Sequence, residues 1–254
     1  MGGAADVCWG GPMRVMQTYH QHPDCDLVSF AEVVTRDPFL LLGAAPRPDF
    51  QLSELLNLRV GTVSEVPTPW MCLQEDLRRA GVDPSRIDRV TDRTMAENCA
   101  ALAAGVLDAV QVFEPFVSTM VANGAAHIWY AAANRGPTSY TTFYARRGIL
   151  TERRDELIRM VRAIYRTQQW VSAATAAQIA EAVAPFFDAI PPSILEASIA
   201  RYQALGIWGR DPRLPRVGYH RLLASLVSGG FVSPGTPFEV AVDNSLALAA
   251  MAEG

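Results

Sequence analysis

Three times along this 254-residue chain a short apolar run ends in a tight loop and a proline that opens a helix, at Gly11-Pro12, Thr68-Pro69 and Glu114-Pro115. Proline suits the start of a helix because the donor it lacks would have no partner there anyway. Strand, loop and helix in repeated alternation predict an α/β fold with mainly parallel sheets flanked by helices. In such sheets the strand ends and the following helix starts share one edge. Unpaired amide N–H groups and positive helix dipoles at that edge attract polar or anionic ligands. One such corner is only a common helix start, but three in order define a candidate binding cleft.

The rest of the first 145 residues fits this alternation. Strands are predicted at 5–9, 26–34, 39–42, 58–63, 108–113, 126–130 and 141–144, with helices between them. Thr68 is expected to cap the helix begun by Pro69, which carries Trp70, Leu73 and Leu77 on one face and ends at Gly81. Thr94 and Glu97 form a capping box for a helix ending at Gly105. Residues 43–50, with Pro46 and Pro48, make the best linker and the expected crossing between two lobes. Beyond 145 the chain is mostly helical. Thr151 is expected to cap a long helix through Trp170, and Thr175 with Gln178 and Ser193 with Glu196 form further capping boxes. These helices should pack on the first lobe, giving lobe 1 over 1–45, lobe 2 over 46–140 and a return to lobe 1 over 141–254.

Composition removes several classes of function. All 22 basic residues are Arg, so chemistry that needs a lysine, such as an internal Schiff base or a Walker phosphate loop, is excluded. The net charge of −4, without blocks of like charge, argues against nucleic acid as a partner. Cys8, Cys25, Cys72 and Cys99 make neither a Cys-x-x-Cys pair nor a disulfide framework. No apolar run reaches the roughly 18 residues of a membrane-spanning helix. The remaining partners are small molecules or proteins.

Side chains in the three corners suit a small ligand. Ser64 and Thr68 offer hydroxyls, Gln111 an amide, Trp70 and Phe113 apolar faces, and Glu65 and Glu114 carboxylates. Glu114 reads two ways, as an anion placed to favour a helix N-terminus or as an acceptor for a ligand amino group.

Taken together, Asp6-Val-Cys-Trp-Gly-Gly-Pro-Met-Arg14, Arg59-Val-Gly-Thr-Val-Ser-Glu-Val-Pro-Thr-Pro-Trp70 and Leu107-Asp-Ala-Val-Gln-Val-Phe-Glu-Pro-Phe116 resemble a known family. It comprises the thiamine-pyrimidine-synthesis-like and alkanesulfonate-binding proteins that serve ABC importers. Gly136-Pro-Thr-Ser-Tyr-Thr-Thr-Phe-Tyr144 and Gly206-Ile-Trp-Gly-Arg-Asp-Pro212 are similar too. The resemblance implies a type II periplasmic-binding fold, two lobes closing by a hinge on a ligand held between them. By position the family's ligand loops fall on Gly10, Gly11, Pro12 and Met13, on Ser64, Glu65, Pro67, Thr68 and Trp70, and on Gln111, Phe113 and Glu114. It further implies a monomeric periplasmic protein with no cofactor or metal, an ABC permease and its ATPase as partners, and a ligand such as a thiamine pyrimidine precursor, a sulfonate or nitrate. The pyrimidine is favoured, since it would stack on Trp70 or Phe113 and bond to Glu114. Family members ordinarily begin with a signal peptide and about 60 mature residues, two βα units, before the point matching residues 2–6. The first strands of lobe 1 are therefore expected to be missing here.

Other readings are weaker. His20-Gln-His22-Pro-Asp-Cys25-Asp26 matches no zinc spacing and reads as a solvated loop. No Gly-x-Ser-x-Gly elbow is present, because Val66 occupies its last place. A lyase on the same two-lobed fold would need an acid or base in the cleft, for which Glu114 and Glu65 are the candidates. The Arg153 to Arg166 stretch reads as a solvated helix face, which could also dock on a transporter. A ligand-sensing module of a signalling protein is the third class.

Overall fold

The computed structural model describes residues 5–252, so residues 2–4, part of the stretch expected to match the family, lie outside the described residues. The chain divides into two compact units. The first comprises residues up to Asp37, Gly136–Ala174 and the stretch from Gly206 onward, and the second comprises Pro38–Arg135 and Thr175–Leu205.

The first unit opens with β1 (Val7–Gly10), α1 (Pro12–Gln21) and β2 (Leu27–Val34). The second contains β3 (Leu40–Gly43), β4 (Arg59–Gly61), α2 (Thr68–Arg79), β5 (Asp88–Val90), α3 (Met95–Ala103), β6 (Ala109–Val112), α4 (Phe116–Ala122) and β7 (His127–Ala131). The chain returns to the first unit with β8 (Thr141–Arg146), α5 (Arg147–Glu152) and α6 (Arg154–Ala173). It adds α7 (Ala176–Val183) and α8 (Pro192–Leu205) to the second unit, and ends in the first with α9 (Arg216–Ser228), α10 (Phe238–Ala241) and α11 (Ser245–Ala252).

Both sheets are mixed. The order β1-β8-β2 places β8 antiparallel to both neighbours, which makes β1 and β2 parallel to each other. In β5-β4-β6-β3-β7, β4 lies parallel to β5 and β6, while β3 runs antiparallel to β6 and β7. The expected parallel pairing is thus confined to β5-β4-β6. The strands that carry the chain from one unit to the other enter each sheet from the opposite direction and break the parallel order.

Packing moves the expected boundaries. The predicted strand at 39–42 is a strand, but its Leu41 belongs to the second unit's core, with Leu55, Val60, Leu73, Leu77 and Ala109. The crossing therefore falls at Asp37-Pro38, and residues 44–50 are a bend inside the second unit. Helices α7 and α8 pack on each other, and α8 packs on α4, so they belong to the second unit and not to the first as expected. Thr151 lies inside α5, and Ser193 lies inside a helix that Pro192 already begins, so neither caps. The boxes at Thr94/Glu97 and Thr175/Gln178 form as read. In the first unit the core joins Val28 and Phe30 of β2 to Leu157 and Val161 of α6 and Leu246 of α11, all buried. Each such side chain contributes about 1.5–3 kcal/mol on leaving water.

Candidate functional site

In the second unit the amide-rich corners form as pairing dictates. Because β4 and β6 are parallel neighbours, with Val60 opposite Ala109, their following loops emerge side by side on one sheet edge. Gln111 of β6 is tied to the start of α2, its Nε2 donating to Pro69 O at 3.0 Å. Gln111 is 2 % exposed and its Oε1 has no hydrogen-bond partner among the described residues. The loop after β4 is held by Thr62 N to Val90 O at 2.9 Å, Asn98 Nδ2 to Thr62 O at 3.2 Å and Ser64 N to Arg93 O at 3.2 Å. Helix α2 starts one residue earlier than expected. Pro67 takes the capping position, Thr68 enters the first turn and Pro69 follows it, and no side chain caps the helix. Met71 N makes the first bond of the helix, to Pro67 O at 3.1 Å, and Pro69 brings no N–H, so the amides left to this end are those of Thr68 and Trp70.

The candidate side chains divide sharply. Trp70 packs on the second unit's core and carries the Arg89 guanidinium 4.2 Å from its ring centroid. Phe113 lies edge-on to Phe39 at 5.0 Å. Glu65 Oε1 accepts from Met95 N at 3.0 Å, where α3 begins, and so acts on a neighbouring helix start.

Glu114 is the most engaged residue of the group. Its carboxylate accepts from Ser118 N at 2.8 Å, Ser118 Oγ at 2.9 Å, Ser198 Oγ at 3.1 Å and Arg201 Nε at 2.7 Å. Its own N–H donates to Tyr202 Oη at 3.1 Å. Pro115 follows through a cis peptide and caps a helix of only seven residues, so it does not occupy the first helical position. Sequence reasoning missed Ser198, Arg201 and Tyr202 because they lie more than 80 positions away on α8, a helix it assigned to the other lobe.

The third corner belongs to the first unit. Gly11 caps α1 with Pro12 at its first position, and no side chain caps the helix. Pro12 and Met13 are buried, so this corner presents backbone more than side chain. A Cβ on Gly11 would stand 2.8 Å from Tyr140 O, which explains the glycine by close backbone approach. Thr142 Oγ1 steadies the preceding residue by donating to Gly10 O at 3.2 Å.

A model of the NMT1-like family matches residues 49–184, more than half of the sequence. The chain belongs to the NMT1-like family. A relative of this NMT1-like chain is YtlA of Bacillus subtilis strain 168, named only as a binding protein, 27 % identical over 223 residues, or 87 % of this chain and 67 % of YtlA. Among solved structures, the periplasmic aliphatic sulphonate-binding protein SsuA of Escherichia coli superposes with a TM-score of 0.74 at 16 % identity, over 95 % of this chain and 76 % of SsuA. The desulfurization enzyme DszB reaches a TM-score of 0.65 at 14 % identity, over 97 % of this chain and 85 % of DszB. The fold of the NMT1-like chain is therefore that of periplasmic binding proteins, and it is a fold that also hosts an enzyme.

Among the described residues of the NMT1-like chain, no group of three or more His, Cys, Asp or Glu is placed to hold a metal, and no helix is long and apolar enough to cross a membrane. His20 of the expected loop accepts from Ser233 N at 3.3 Å. Burial pushes the Cys99 thiol up to about 11, far from a reactive thiolate.

Proposed function

We propose that this NMT1-like chain is the substrate-binding component of an ABC importer, working in the periplasm and delivering a small polar or heterocyclic molecule to a permease and its ATPase. The observation that carries the reading is the shared edge in the second unit, where the ends of β4 and β6 lie side by side and Gln111 ties β6 to the start of α2. Such an edge binds by backbone amides and needs no reactive group. A binding role is further supported by the use of both candidate carboxylates, Glu65 and Glu114, on neighbouring helix starts and side chains. An acid or base for lyase chemistry would have to be free to exchange protons with a substrate.

For the ligand we keep the aminopyrimidine type ahead of sulfonate and nitrate, with one change in the contact expected of it. Glu114 is fully occupied, whereas Gln111 Oε1 is a buried acceptor in want of a donor, which a ring amino group supplies. Phe113 then offers a ring face for stacking, in place of Trp70, whose ring is covered by Arg89, and Ser64 and Thr68 offer hydroxyls. A thermal-shift screen against aminopyrimidines, taurine, longer alkanesulfonates and nitrate tests this. Stabilisation by an aminopyrimidine that is lost in Gln111→Leu supports it. Stabilisation by sulfonates alone, unaffected by that substitution, overturns the ligand choice, and stabilisation by none of them removes the support for the role.

A further inference from the structure

Helices α7 and α8 of the second unit meet through the run Val183-Ala184-Pro185-Phe186-Phe187-Asp188-Ala189-Ile190-Pro191-Pro192, in which Asp188 is the one charged side chain. A run this apolar suits a core, yet it lies at the surface. Phe186 is 82 % exposed, the most of any large apolar side chain among the described residues, and Phe187 is 45 % exposed. The run is nonetheless built. Phe187 N donates to Ala184 O at 3.0 Å, Ile190 N to Phe187 O at 2.9 Å and Leu195 N to Pro191 O at 3.0 Å. Pro185, Pro191 and Pro192 stiffen it further. A surface already held in one shape loses little freedom when a partner covers it.

Phe187 also lines a groove of about 390 Å³ between α7 and α8, where Ile190 and Leu195 supply further apolar surface. Glu181, Asp188 and Glu196 line the same groove, and all three are exposed. No cation of the hairpin answers them. From Thr175 to Leu205 the only basic residue is Arg201, and Glu114 holds its guanidinium. Helix α4, on which α8 packs, carries no charged residue. Charge then selects what can cover the apolar surface. A second copy docked face to face would set three carboxylates against three more, and an anionic membrane surface would meet the same repulsion. A segment with an apolar side chain flanked by arginine or lysine meets apolar contact in the groove and attraction at its rim.

We propose that the tip formed by α7 and α8 is a docking surface for a protein partner, which sets an apolar side chain flanked by basic ones into this groove and covers Phe186 and Phe187. Assigning that segment to the permease rests on the importer reading given above; the surface itself does not.

Fluorescence anisotropy of a labelled amphipathic helical peptide, with leucines along one face and arginines beside them, tests the surface on the whole chain. Saturable binding is expected, weakened at least about tenfold in Phe186→Ser/Phe187→Ser and in Glu181→Gln/Glu196→Gln. These positions are exposed, so both variants are expected to keep the wild-type melting temperature. Asp24→Asn/Asp92→Asn, which removes two exposed carboxylates elsewhere, is expected to change affinity less than about twofold, and a peptide with asparagines for its leucines to bind at least about tenfold more weakly. An equal loss in the Asp24/Asp92 control reduces the binding to general attraction of charge and overturns the proposal. Absence of saturable binding up to about 1 mM protein does so too. A concentration-dependent dimer in sedimentation that Phe186→Ser/Phe187→Ser abolishes overturns the choice of occupant. None of these readouts involves Gln111, so failure of the ligand screen and failure of this surface are distinct results.

Discussion

Arg201 Nε donates a 2.7 Å hydrogen bond to Glu114 Oε1, joining helix α8 to the loop that follows β6 in the second unit. The carboxylate side chain is 3 % exposed and the guanidinium 26 %, so the pair is neither fully buried nor a surface contact. Its value is mostly that Glu114 would otherwise be a buried charge held only by serines. Truncating the arginine should accordingly cost more than an exposed ion pair does.

Arg201→Ala is expected to destabilise the protein by about 2–4 kcal/mol, and Glu114→Ala by a similar amount through loss of the Ser118 and Ser198 bonds. The double variant should lose less than the sum, with a coupling of about 1–3 kcal/mol. Urea denaturation of the four proteins measures this. Additivity within about 0.5 kcal/mol would show that the two residues act separately.

Glu32 gives a pH prediction of definite sign. With burial in β2 holding its carboxyl at about 8 in the folded chain, against 4.5 when unfolded, the unfolded state alone loses a proton between those values. Stability from this group is therefore intact below 4.5, falls as pH rises toward 8, and levels off above. At pH 7 the loss is on the order of 3 kcal/mol. Glu32→Gln carries no such loss, so its melting temperature relative to wild type should rise steadily from pH 5 to pH 8. A difference that does not change with pH would place the titration elsewhere.

What the sequence revealed follows from how local each signal is. The corner at Gly11-Pro12 and the box at Thr94/Glu97 are set by neighbours within four residues, and both form as read. The direction of β3 and β8 is set by pairing with strands as far away as Val7 is from Ala145, which no local pattern encodes. The unit boundary was misjudged for a related reason. Pro46 and Pro48 mark a bend strongly, whereas Asp37-Pro38 is a weaker mark that only the core position of Leu41 explains. Glu114 was legible as a carboxylate beside a helix start, since Pro115 and the apolar run before it are its immediate neighbours. Its occupation by Arg201 stayed hidden, because α8 carries no feature that points to the loop after β6.

Asp76 offers a second ion pair in the second unit, this one buried on both sides, with a different expected response. Tyr130 Oη donates to Asp76 Oδ2 at 2.7 Å and Arg135 Nε donates to Oδ1 at 2.7 Å, with side chains of Arg135 and Asp76 only 3 % and 7 % exposed. Asp76→Ala leaves a guanidinium buried without its anion and is expected to cost about 3–5 kcal/mol. Tyr130→Phe removes one neutral donor to a charged acceptor and should cost about 1.5–3 kcal/mol. Equilibrium unfolding orders the two, and a larger loss for the tyrosine would contradict the assignment of Arg135 as the principal partner.

Gly11 is the last test, because it separates the geometry of a binding corner from the chemistry of its side chains. A Cβ there meets Tyr140 O at 2.8 Å, a backbone atom that cannot rotate away, so Gly11→Ala must shift either β8 or the start of α1. Overpacking of this kind costs about 1–3 kcal/mol. Gly10 differs, since its Cβ would meet side chains and no backbone, Arg14 Cδ at 3.2 Å, which is free to yield, and Tyr144 Cε1 at 3.3 Å, which must give by a few tenths of an ångström. Gly10→Ala should therefore be tolerated within about 1 kcal/mol, while Gly11→Ala lowers the melting temperature clearly and weakens any ligand that uses the first amides of α1. If both alanines melt alike, the close approach to Tyr140 is not what requires glycine at this corner.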